Sequence, residues 1–383
     1  MAVVPTLTDS VVTLRAHHDD DIPRCIEQSN DEASRRWTRV PVPYTRDDAA
    51  RFVRHAMPGG WVTGAEWGFA VEAVDDDGNR QYAGTVSLRP QLPGEGDGRA
   101  EIAYGAHPWA RGRGIFERAL GLLLDWGFAE QGLQMVFWQA HVGNWASRKL
   151  AWRLGFSFDG AARDWVVHRG ELVDGWFGTL LRDDVRLPRN AWHVPPVLRS
   201  ERAVLRPMRD DDLPQLVEGC SDEQTSFWIA SIPVPFAESD AAAFMAERRD
   251  AMARGTVVHW TIADPVTDLL IGSTSLFNLD PGTRGEIGYW AHPAGRGRGV
   301  MTEAVRLLLR HAFIDTAEGG LGLPKVRLVA AEDNAGSRAV AERTGFRYVG
   351  IERAATPCRD GLHDAALYDV VPADVLAALG PGM

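Results

Sequence analysis

EIAYGAHPWARGRG, at residues 101–114, recurs as EIGYWAHPAGRGRG at residues 286–299. A second block, NWASR beginning at Asn144, recurs as NAGSR beginning at Asn334. The copies lie 185 residues apart in the first block (101 to 286) and 190 in the second (144 to 334), so the second copy is five residues longer between the blocks. Blocks that keep their order at nearly constant spacing indicate a tandem duplication, and this decides the domain assignment.

The duplication extends toward the start of each copy, where VPVPY at residues 40–44 matches IPVPF at residues 232–236. A chain of 383 residues is long enough for two domains. We predict a first domain over residues 1–185, a linker over residues 186–196 and a second domain over residues 197–383. The linker contains three prolines, which favour an extended and stiff segment.

Composition limits the class of protein. Hydrophobic residues make up 45% of the chain and charged residues 24%, as in soluble globular proteins. The net charge of −11 argues against a general nucleic-acid binder and is compatible with a cationic acceptor. Apolar runs are too short for a membrane span, and no signal-peptide pattern is visible. Cys25, Cys220 and Cys358 lack disulfide or zinc spacing, so we expect free thiols in the cytoplasm and no metal. The short apolar runs predict no membrane partner.

Within each copy, strand-like and helical periods alternate. Residues 69–74 and 83–88 are predicted to pair through a turn at Asp77-Gly78, a second turn is predicted at residues 93–98, and Asp20 is predicted to cap a helix through Ile26. Further strands are predicted at residues 11–15, 101–106, 134–140, 326–331 and 365–370, and helices at residues 144–154 and 334–344 and directly after Gly114 and Gly299. Each copy is therefore predicted to be α/β (α+β), with a mostly antiparallel central sheet flanked by helices.

The tracts Arg111-Gly-Arg-Gly114 and Arg296-Gly-Arg-Gly299 each separate a predicted strand from a predicted helix. Glycines permit the tight turn that exposes N–H groups at a helix N-terminus, and this arrangement attracts phosphate. Neither loop is a nucleoside-triphosphate loop, because no Gly-Lys-Ser/Thr follows. Neither is the dinucleotide fingerprint, which opens a parallel βαβ unit. A simple turn is the alternative for either loop taken alone.

The ordered set Glu-Ile-Gly-Tyr-Trp, Arg-Gly-Arg-Gly, Asn-x-x-Ser and Gly-Phe resembles the GNAT superfamily of acetyl-CoA-dependent N-acetyltransferases, in both halves of the chain. Within that superfamily it resembles the branch that acetylates the N-terminal residue of ribosomal proteins, together with its antibiotic-modifying relatives. The family loop has the form Arg/Gln-x-x-Gly-x-Gly/Ala, and this chain departs from it with Phe116 and Met301 at the last position. The resemblance implies two GNAT folds in tandem, acetyl-CoA as co-substrate and no metal.

The resemblance also implies residue roles. Pyrophosphate is expected on the loop amides, and the pantetheine arm is expected along the preceding strand. The implied cofactor-binding residues of the second copy are Tyr289, Trp290, Ala291, Arg296, Gly297, Arg298, Gly299, Val300, Met301, Thr302 and Asn334. A second possible site in the first copy comprises Glu101, Arg111, Gly112, Arg113, Gly114, Asn144 and Ser147. Asparagine is also a preferred helix N-cap, so a purely structural role is the alternative for Asn334.

Acetyl transfer to an amine calls for a base and a proton donor. An α-amine has a pKa of about 8 and must lose a proton before it attacks a thioester. Glu286 matches a position that often serves as base in the family; the alternative is a charged strand residue facing water. The leaving thiolate, with a pKa of about 8.5, benefits from a donor, for which Ser337 and Tyr368 are candidates. An accessory cap and a core aromatic are their respective alternatives.

The second copy is predicted to be the catalytic one. The first copy has Gly178 where Tyr368 aligns, and Phe116-Glu117 is expected to bring bulk and negative charge to its loop. We predict that the first copy is degenerate or docks the acceptor. The favoured acceptor is the N-terminal α-amine of a peptide or protein. The alternatives are an amine-bearing antibiotic or other small molecule, a longer acyl donor, and a non-catalytic module that binds CoA or a peptide.

Overall fold

The computed structural model describes residues 3–91, 98–280 and 282–379. It divides into two compact units, Met1–Arg189 and Asn190–Met383. The division falls inside the segment predicted as a linker. The turn predicted at residues 93–98 lies outside the described residues except for Gly98, which has a positive φ of 70°.

Each unit is built on one sheet of eight strands. The strands of the first unit are β1 Leu7–Thr8, β2 Val12–Arg15, β3 Trp67–Val74, β4 Arg80–Pro90, β5 Arg99–Ala106, β6 Met135–His141, β7 Gly160–His168 and β8 Glu171–Leu181. Its helices are α1 Ile22–Asn30, α2 Glu32–Trp37, α3 Arg46–Arg51, α4 Met57–Thr63, α5 Ile115–Ala129 and α6 Trp145–Arg153. A π-helical turn joins α3 to α4.

The second unit repeats this order. Its strands are β9 Leu198–Arg199, β10 Val204–Arg206, β11 Val258–Ala263, β12 Leu270–Asp280, β13 Arg284–Ala291, β14 Val326–Ala331, β15 Arg347–Cys358 and β16 Gly361–Val370. Its helices are α7 Leu213–Ser221, α8 Glu223–Trp228, α9 Glu238–Ala253, α10 Val300–Phe313, α11 Ala335–Arg343 and α12 Pro372–Leu379.

A gap opens in the middle of each sheet. The strand order is β1-β2-β3-β4-β5-β6-β8-β7 in the first unit and, equivalently, β9-β10-β11-β12-β13-β14-β16-β15 in the second. All pairs are antiparallel except β5–β6 and β13–β14. The β13–β14 ladder stops after Ile287 and Leu328, although the two strands continue to Ala291 and Ala331. The strands therefore diverge toward their carboxyl ends, and β5 and β6 do the same.

Hydrophobic packing fixes the helix that follows each glycine loop. In the second unit, α10 buries Val300, Ala304 and Leu308 in a cluster with residues from β11, β13 and β14. Complete burial of an aliphatic side chain is worth about 1.5–3 kcal/mol, so this face anchors the helix firmly. A second cluster covers the opposite face of the sheet and contains residues of α7 and α9. The glycine loop is thus held at the end of a well-packed helix.

The sequence patterns predicted most elements correctly and one cap incorrectly. The strands and helices around both glycine loops are confirmed, as is the Asp77-Gly78 turn, where Gly78 has a φ of 83°. Asp20 does not cap α1. The neighbouring Asp21 is buried and forms a two-pronged ion pair with Arg15 at 2.8 and 2.9 Å. A guanidinium on the adjacent strand selects which aspartate turns inward.

Candidate active site

The glycine loop of the second unit forms an open cradle of amides. Gly297 and Gly299 have φ angles of 70° and 74°, in the left-handed region where glycine avoids the cost of a side chain. Among the described residues, no acceptor lies in hydrogen-bonding geometry with the amides of residues 297–302. A β-carbon placed on Gly297 would meet no atom within 4 Å. The N-terminus of α10 therefore presents free N–H groups to open space, a geometry that suits an anion.

The first arginine of each loop points away from these amides. Arg296 donates to Asp222 and to Thr225 Oγ1 (2.8 Å) at the start of α8, and its Nε donates to the Ala291 carbonyl at 3.2 Å. The guanidinium of Arg296 holds the pKa of Asp222 below its usual value. Arg111 makes the same contact with Asp31, at 2.6 Å. Each arginine therefore holds its loop against the N-terminus of a short helix, α8 for Arg296 and α2 for Arg111, and its charge is already neutralised.

The next arginine of each loop is also paired. Arg298 Nη2 lies 3.3 Å from Asp264 Oδ2, and Arg113 Nη2 lies 2.7 Å from Asp76 Oδ1. Asp264 belongs to the turn between β11 and β12, and Asp76 belongs to the equivalent turn between β3 and β4.

Two hydroxyl groups meet where β13 and β14 diverge. Tyr289 Oη lies 3.0 Å from Ser337 Oγ and 3.2 Å from the Ser337 carbonyl oxygen, and its single proton can be donated to either oxygen. The Ser337 amide donates to Asn334 Oδ1 at 3.0 Å, so Asn334 is the N-cap of α11. Burial raises the pKa of Tyr289 to about 12, and the phenol stays protonated at neutral pH. Tyr289, Ser337 and Asn334 are thus brought together beside the gap.

Glu286 lies on the other face of β13. Successive residues of a strand point to opposite faces. Tyr289 packs against the cluster that contains α10, whereas Trp290, which shares the parity of Glu286, packs against the cluster that contains α7 and α9. The Glu286 carboxylate is half-buried, and Asn278 Nδ2 lies 3.4 Å from it. The structure does not bring Glu286 into contact with Ser337, and the two can act together only across the gap.

Comparison with known proteins identifies this arrangement. Residues 12–157 and 202–347, more than half of the chain, match the family model described as "Acetyltransferase (GNAT) domain". The chain belongs to the GNAT family. Because the model matches once in each unit, the two eight-stranded, mostly antiparallel sheets with their flanking helices are two tandem GNAT folds.

Curated relatives share part of one GNAT domain with this chain. "Putative ribosomal N-acetyltransferase YdaF" of Bacillus subtilis (strain 168) is 39% identical over 109 residues, which are 27% of this chain and 54% of that protein. The ribosomal-protein-serine acetyltransferase of Escherichia coli (strain K12) is 32% identical over 102 residues, 26% of this chain and 54% of the relative. The chain thus spans about half the length of these relatives. RimJ of Mycobacterium smegmatis, solved in complex with CoA-disulfide, is 21% identical over 46% of this chain and 87% of that one, with a TM-score of 0.41.

Tyr368 is a core residue of the second GNAT domain. Its side chain is 1% exposed, and its hydroxyl accepts from Arg338 Nε at 3.0 Å. The predicted alignment with Gly178 is confirmed, because Tyr368 pairs with Leu328 as Gly178 pairs with Trp138. A β-carbon on Gly178 would lie 1.9 Å from the Ser157 carbonyl oxygen, so the first domain has no room for a side chain there. Burial favours the core role of Tyr368 over the proton-donor role.

The first GNAT domain has an equally open loop. Gly112 and Gly114 both have a φ of 73°, and a β-carbon on either would meet nothing within 4 Å. The expectation that Phe116 adds bulk to this loop is wrong. Phe116 is 6% exposed and packs in the domain core beside Gly84, because its position on α5 faces the sheet. Glu117 does remain on the first turn of α5, 3.4 Å from Arg153.

Two other contacts distinguish the first domain. Its candidate base, Glu101, accepts a 2.8 Å hydrogen bond from Gln139, whereas the second domain has Val329 at the equivalent position. The first-domain serine, Ser147, lies 2.8 Å from Tyr104 Oη and also accepts from Trp138 Nε1 at 2.9 Å. Asn144 is the N-cap of α6, the helix that carries Ser147, as expected from the repeat.

The sequence did not reveal a histidine bracketed by two carboxylates next to Asn334. His363 Nδ1 lies 3.0 Å from Asp333 Oδ2, and its Nε2 lies 2.7 Å from Asp360 Oδ1. These carboxylates raise the pKa of His363. The rings of Phe227 and Trp228, on α8, lie 6.1 and 6.2 Å from the imidazole. The pairing of β16 with β14 and the packing of the β15–β16 hairpin against α8 bring these residues together, so no local motif signals them.

The described ranges contain neither a candidate metal site nor a candidate membrane-spanning helix. No group of three or more His, Cys, Asp and Glu side chains there is arranged to hold a metal ion. No helix among them has both the length and the apolar character needed to cross a bilayer. Cys25, Cys220 and Cys358 are free and buried.

Proposed function

We propose that this protein transfers an acetyl group from acetyl-CoA to the N-terminal α-amine of a peptide or protein in the cytoplasm, and that the second GNAT domain is the catalytic one. The observation that carries the proposal is the open amide cradle at residues 297–302 beside a gap that holds the Tyr289–Ser337 hydroxyl pair. An anion-binding cradle and a proton-donating pair on either side of one gap suit a phosphorylated thioester.

The residues present fit coenzyme A. The amides of the loop suit its pyrophosphate, because free N–H groups and the dipole of a long helix both favour negative charge. Beyond Ile287, β13 has lost its β14 partner, so its backbone groups from Gly288 onward can bond an extended pantetheine arm. Bound there, acetyl-CoA would supply the activated acetyl group.

Glu286 accepts the proton of the attacking ammonium group, directly or through one water, and so generates the neutral amine. That amine forms the new bond to the acetyl carbon while the carbon–sulfur bond breaks, and the second proton that its nitrogen loses converts the departing thiolate to the thiol. Ser337 donates a hydrogen bond to the departing sulfur, and the Tyr289 hydroxyl donates to Ser337 Oγ. Because the tyrosine is held protonated, it strengthens the serine as a donor. Asn334 positions Ser337 by capping its helix.

The acceptor is inferred from chemistry and from the relatives. Two of the relatives carry names that refer to ribosomal acetylation. The net charge of −11 favours approach of a cationic polypeptide over approach of a nucleic acid. A free amino terminus supplies the primary amine on which the proposed base, Glu286, acts.

The function is tested by thiol release from acetyl-CoA in the presence of a panel of acceptors. The panel contains peptides that begin with serine, alanine or methionine, the same peptides with a blocked α-amine, and aminoglycosides. We expect thiol release only with free peptide amino termini, and mass spectrometry should locate the acetyl group on the α-amine. Turnover confined to aminoglycosides would assign the enzyme to small-molecule modification. If the protein binds CoA but releases no thiol with either the peptides or the aminoglycosides, a non-catalytic binding module would be favoured.

A further inference from the structure

Arg202 lies beside the glycine loop of the second domain. It belongs to the turn between β9 and β10, and its side chain is exposed. Its Nη1 donates to the carbonyl oxygen of Arg298 at 3.3 Å. A β-carbon placed on Gly299 would lie 2.8 Å from the same nitrogen. The guanidinium is therefore in contact with the loop that presents the free amides.

Arg202 differs from the two arginines within the loop in having no neutralising partner. Arg296 is paired with Asp222, and Arg298 with Asp264. Among the residues that the structure describes, no carboxylate lies within ion-pair distance of Arg202. Four of the five N–H donors of its guanidinium remain after the bond to Arg298. A planar guanidinium with free donors matches the geometry of phosphate oxygens.

The first domain lacks this cation. Leu7 pairs with Leu14 in β1–β2 as Leu198 pairs with Leu205 in β9–β10, so the two turns have the same length and Val11 occupies the position of Arg202. The first loop is instead followed by Glu117, where the second has Thr302. The two loops present similar amides but differ in nearby charge.

We propose that Arg202 binds a phosphate group of coenzyme A at the glycine loop of the second domain, and thereby makes that domain the tighter coenzyme A site. The inference rests on the proposed function, because it assumes that coenzyme A is the ligand of the loop. The phosphate is either the pyrophosphate or the 3′-phosphate. Both carry the charge and the oxygen geometry that an unpaired guanidinium recognises.

Isothermal titration of the full-length protein with CoA and with dephospho-CoA tests the proposal. The key variant is Arg202→Val, which installs the residue of the first domain. Arg254→Val is the matched control. Arg254 is also exposed and lies in the same unit, and its replacement removes the same charge at a position distant in sequence from the loop. We expect Arg202→Val to weaken the tighter site roughly tenfold at low salt and less at high salt, as for a solvent-exposed charge-assisted contact. Arg202→Lys should fall between, and the control should match the wild type.

The pattern across the two ligands locates the contact. An equal loss with CoA and dephospho-CoA assigns Arg202 to the pyrophosphate, and a loss with CoA alone assigns it to the 3′-phosphate. Wild-type affinity of Arg202→Val for both ligands would overturn the proposal while leaving the proposed function in place. Failure of the wild-type protein to bind CoA at all would overturn both. Because Arg202 is exposed, melting temperatures of the variants should stay unchanged, so a change in affinity reports binding rather than folding.

Discussion

Ser337 and Tyr368 both project toward the face of the sheet that α10 and α11 cover, yet their surroundings differ. Ser337 is half-buried at the end of the gap, where its hydroxyl oxygen lies 3.0 Å from Tyr289 Oη. The Tyr368 hydroxyl lies in the core and is already bonded to Arg338. A group that donates to a ligand must be able to reach it, which favours the serine.

We expect Ser337→Ala to lower kcat about tenfold or more, because the departing sulfur loses its donor. Tyr368→Phe should leave kcat nearly unchanged and reduce the free energy of unfolding by about 1 kcal/mol, the worth of a buried hydrogen bond. Steady-state kinetics and denaturant titration measure the two effects. If Tyr368→Phe lost turnover while Ser337→Ala kept the wild-type rate, Tyr368 would be the proton donor and Ser337 would not.

Glu286→Gln keeps the size of the side chain and removes its ability to accept a proton. We expect kcat/KM for a peptide acceptor to fall roughly a hundredfold at neutral pH and to recover at high pH, where the amine is already neutral. Glu318→Gln, on an exposed turn of the same domain, serves as the control. A pH–rate profile identical to that of the wild-type protein would exclude Glu286 as the base.

At the scale of elements, the hairpin β15–β16 is bonded to α8 and to the segment that follows it. Its tip donates from Arg359 Nη2 to the Ile232 carbonyl at 2.6 Å and from Nε to the Ser226 carbonyl at 3.2 Å, near the end of α8. The first domain keeps this contact through Arg169, which donates to the Arg35 carbonyl at 2.9 Å. The contact between the hairpin and the short helix is therefore present in both copies of the repeat.

His363 adds a pH-dependent link in the second domain alone, because Val173 holds the equivalent position in the first. Both imidazole nitrogens face carboxylates, Asp333 and Asp360, and only the imidazolium can donate to both. The raised pKa means that the protonated form is favoured by folding. Its contribution to stability is complete below the unfolded pKa of about 6.5 and is lost as pH rises through the folded value.

We therefore expect His363→Gln to lower the melting temperature most at mildly acidic pH, with the difference from wild type closing as pH increases. Thermal scans across a pH series measure this. His55→Gln, at an exposed position of the π-helical turn in the first unit, controls for loss of an ordinary histidine. A constant difference at every pH would mean that His363 contributes through packing and not through its charge.

At the scale of the whole molecule, differences between the two copies of the repeat predict that the two domains have different functions. Both keep the left-handed glycines, the open amides and the Asn-capped serine. The first domain, however, has its carboxylate Glu101 bonded to Gln139, an acidic Glu117 on the first turn of α5 and Val11 where the second domain has Arg202. These differences favour the second domain for binding and catalysis, although Phe116 is no obstacle.

Blocking each loop separately tests this division of labour. Gly299→Trp should abolish turnover, because a large side chain fills the cradle and the left-handed backbone there disfavours any side chain. Gly114→Trp, the same change at the same backbone conformation, should leave turnover of a saturating minimal peptide largely intact. Thiol-release kinetics on both full-length variants decide between the halves. The opposite pattern would assign catalysis to the first domain.

The sequence by itself determined the duplication, the order of strands and helices around each glycine loop, the N-caps Asn144 and Asn334 and the alignment of Gly178 with Tyr368. These features follow from short-range rules. The residues of one element set its hydrophobic period, glycine permits a positive φ where the loop turns, and an asparagine can cap only the helix that it precedes.

Only the tertiary structure decided which of these residues are buried or paired and which remain exposed. It turned Arg296 toward Asp222, buried Phe116 and Tyr368, placed Arg202 against Gly299 and closed two carboxylates around His363. Each of these contacts joins residues that are distant in sequence, or depends on which face of an element packs against the core. Such contacts are set by long-range packing and by competition among many charged partners, so no local pattern specifies them.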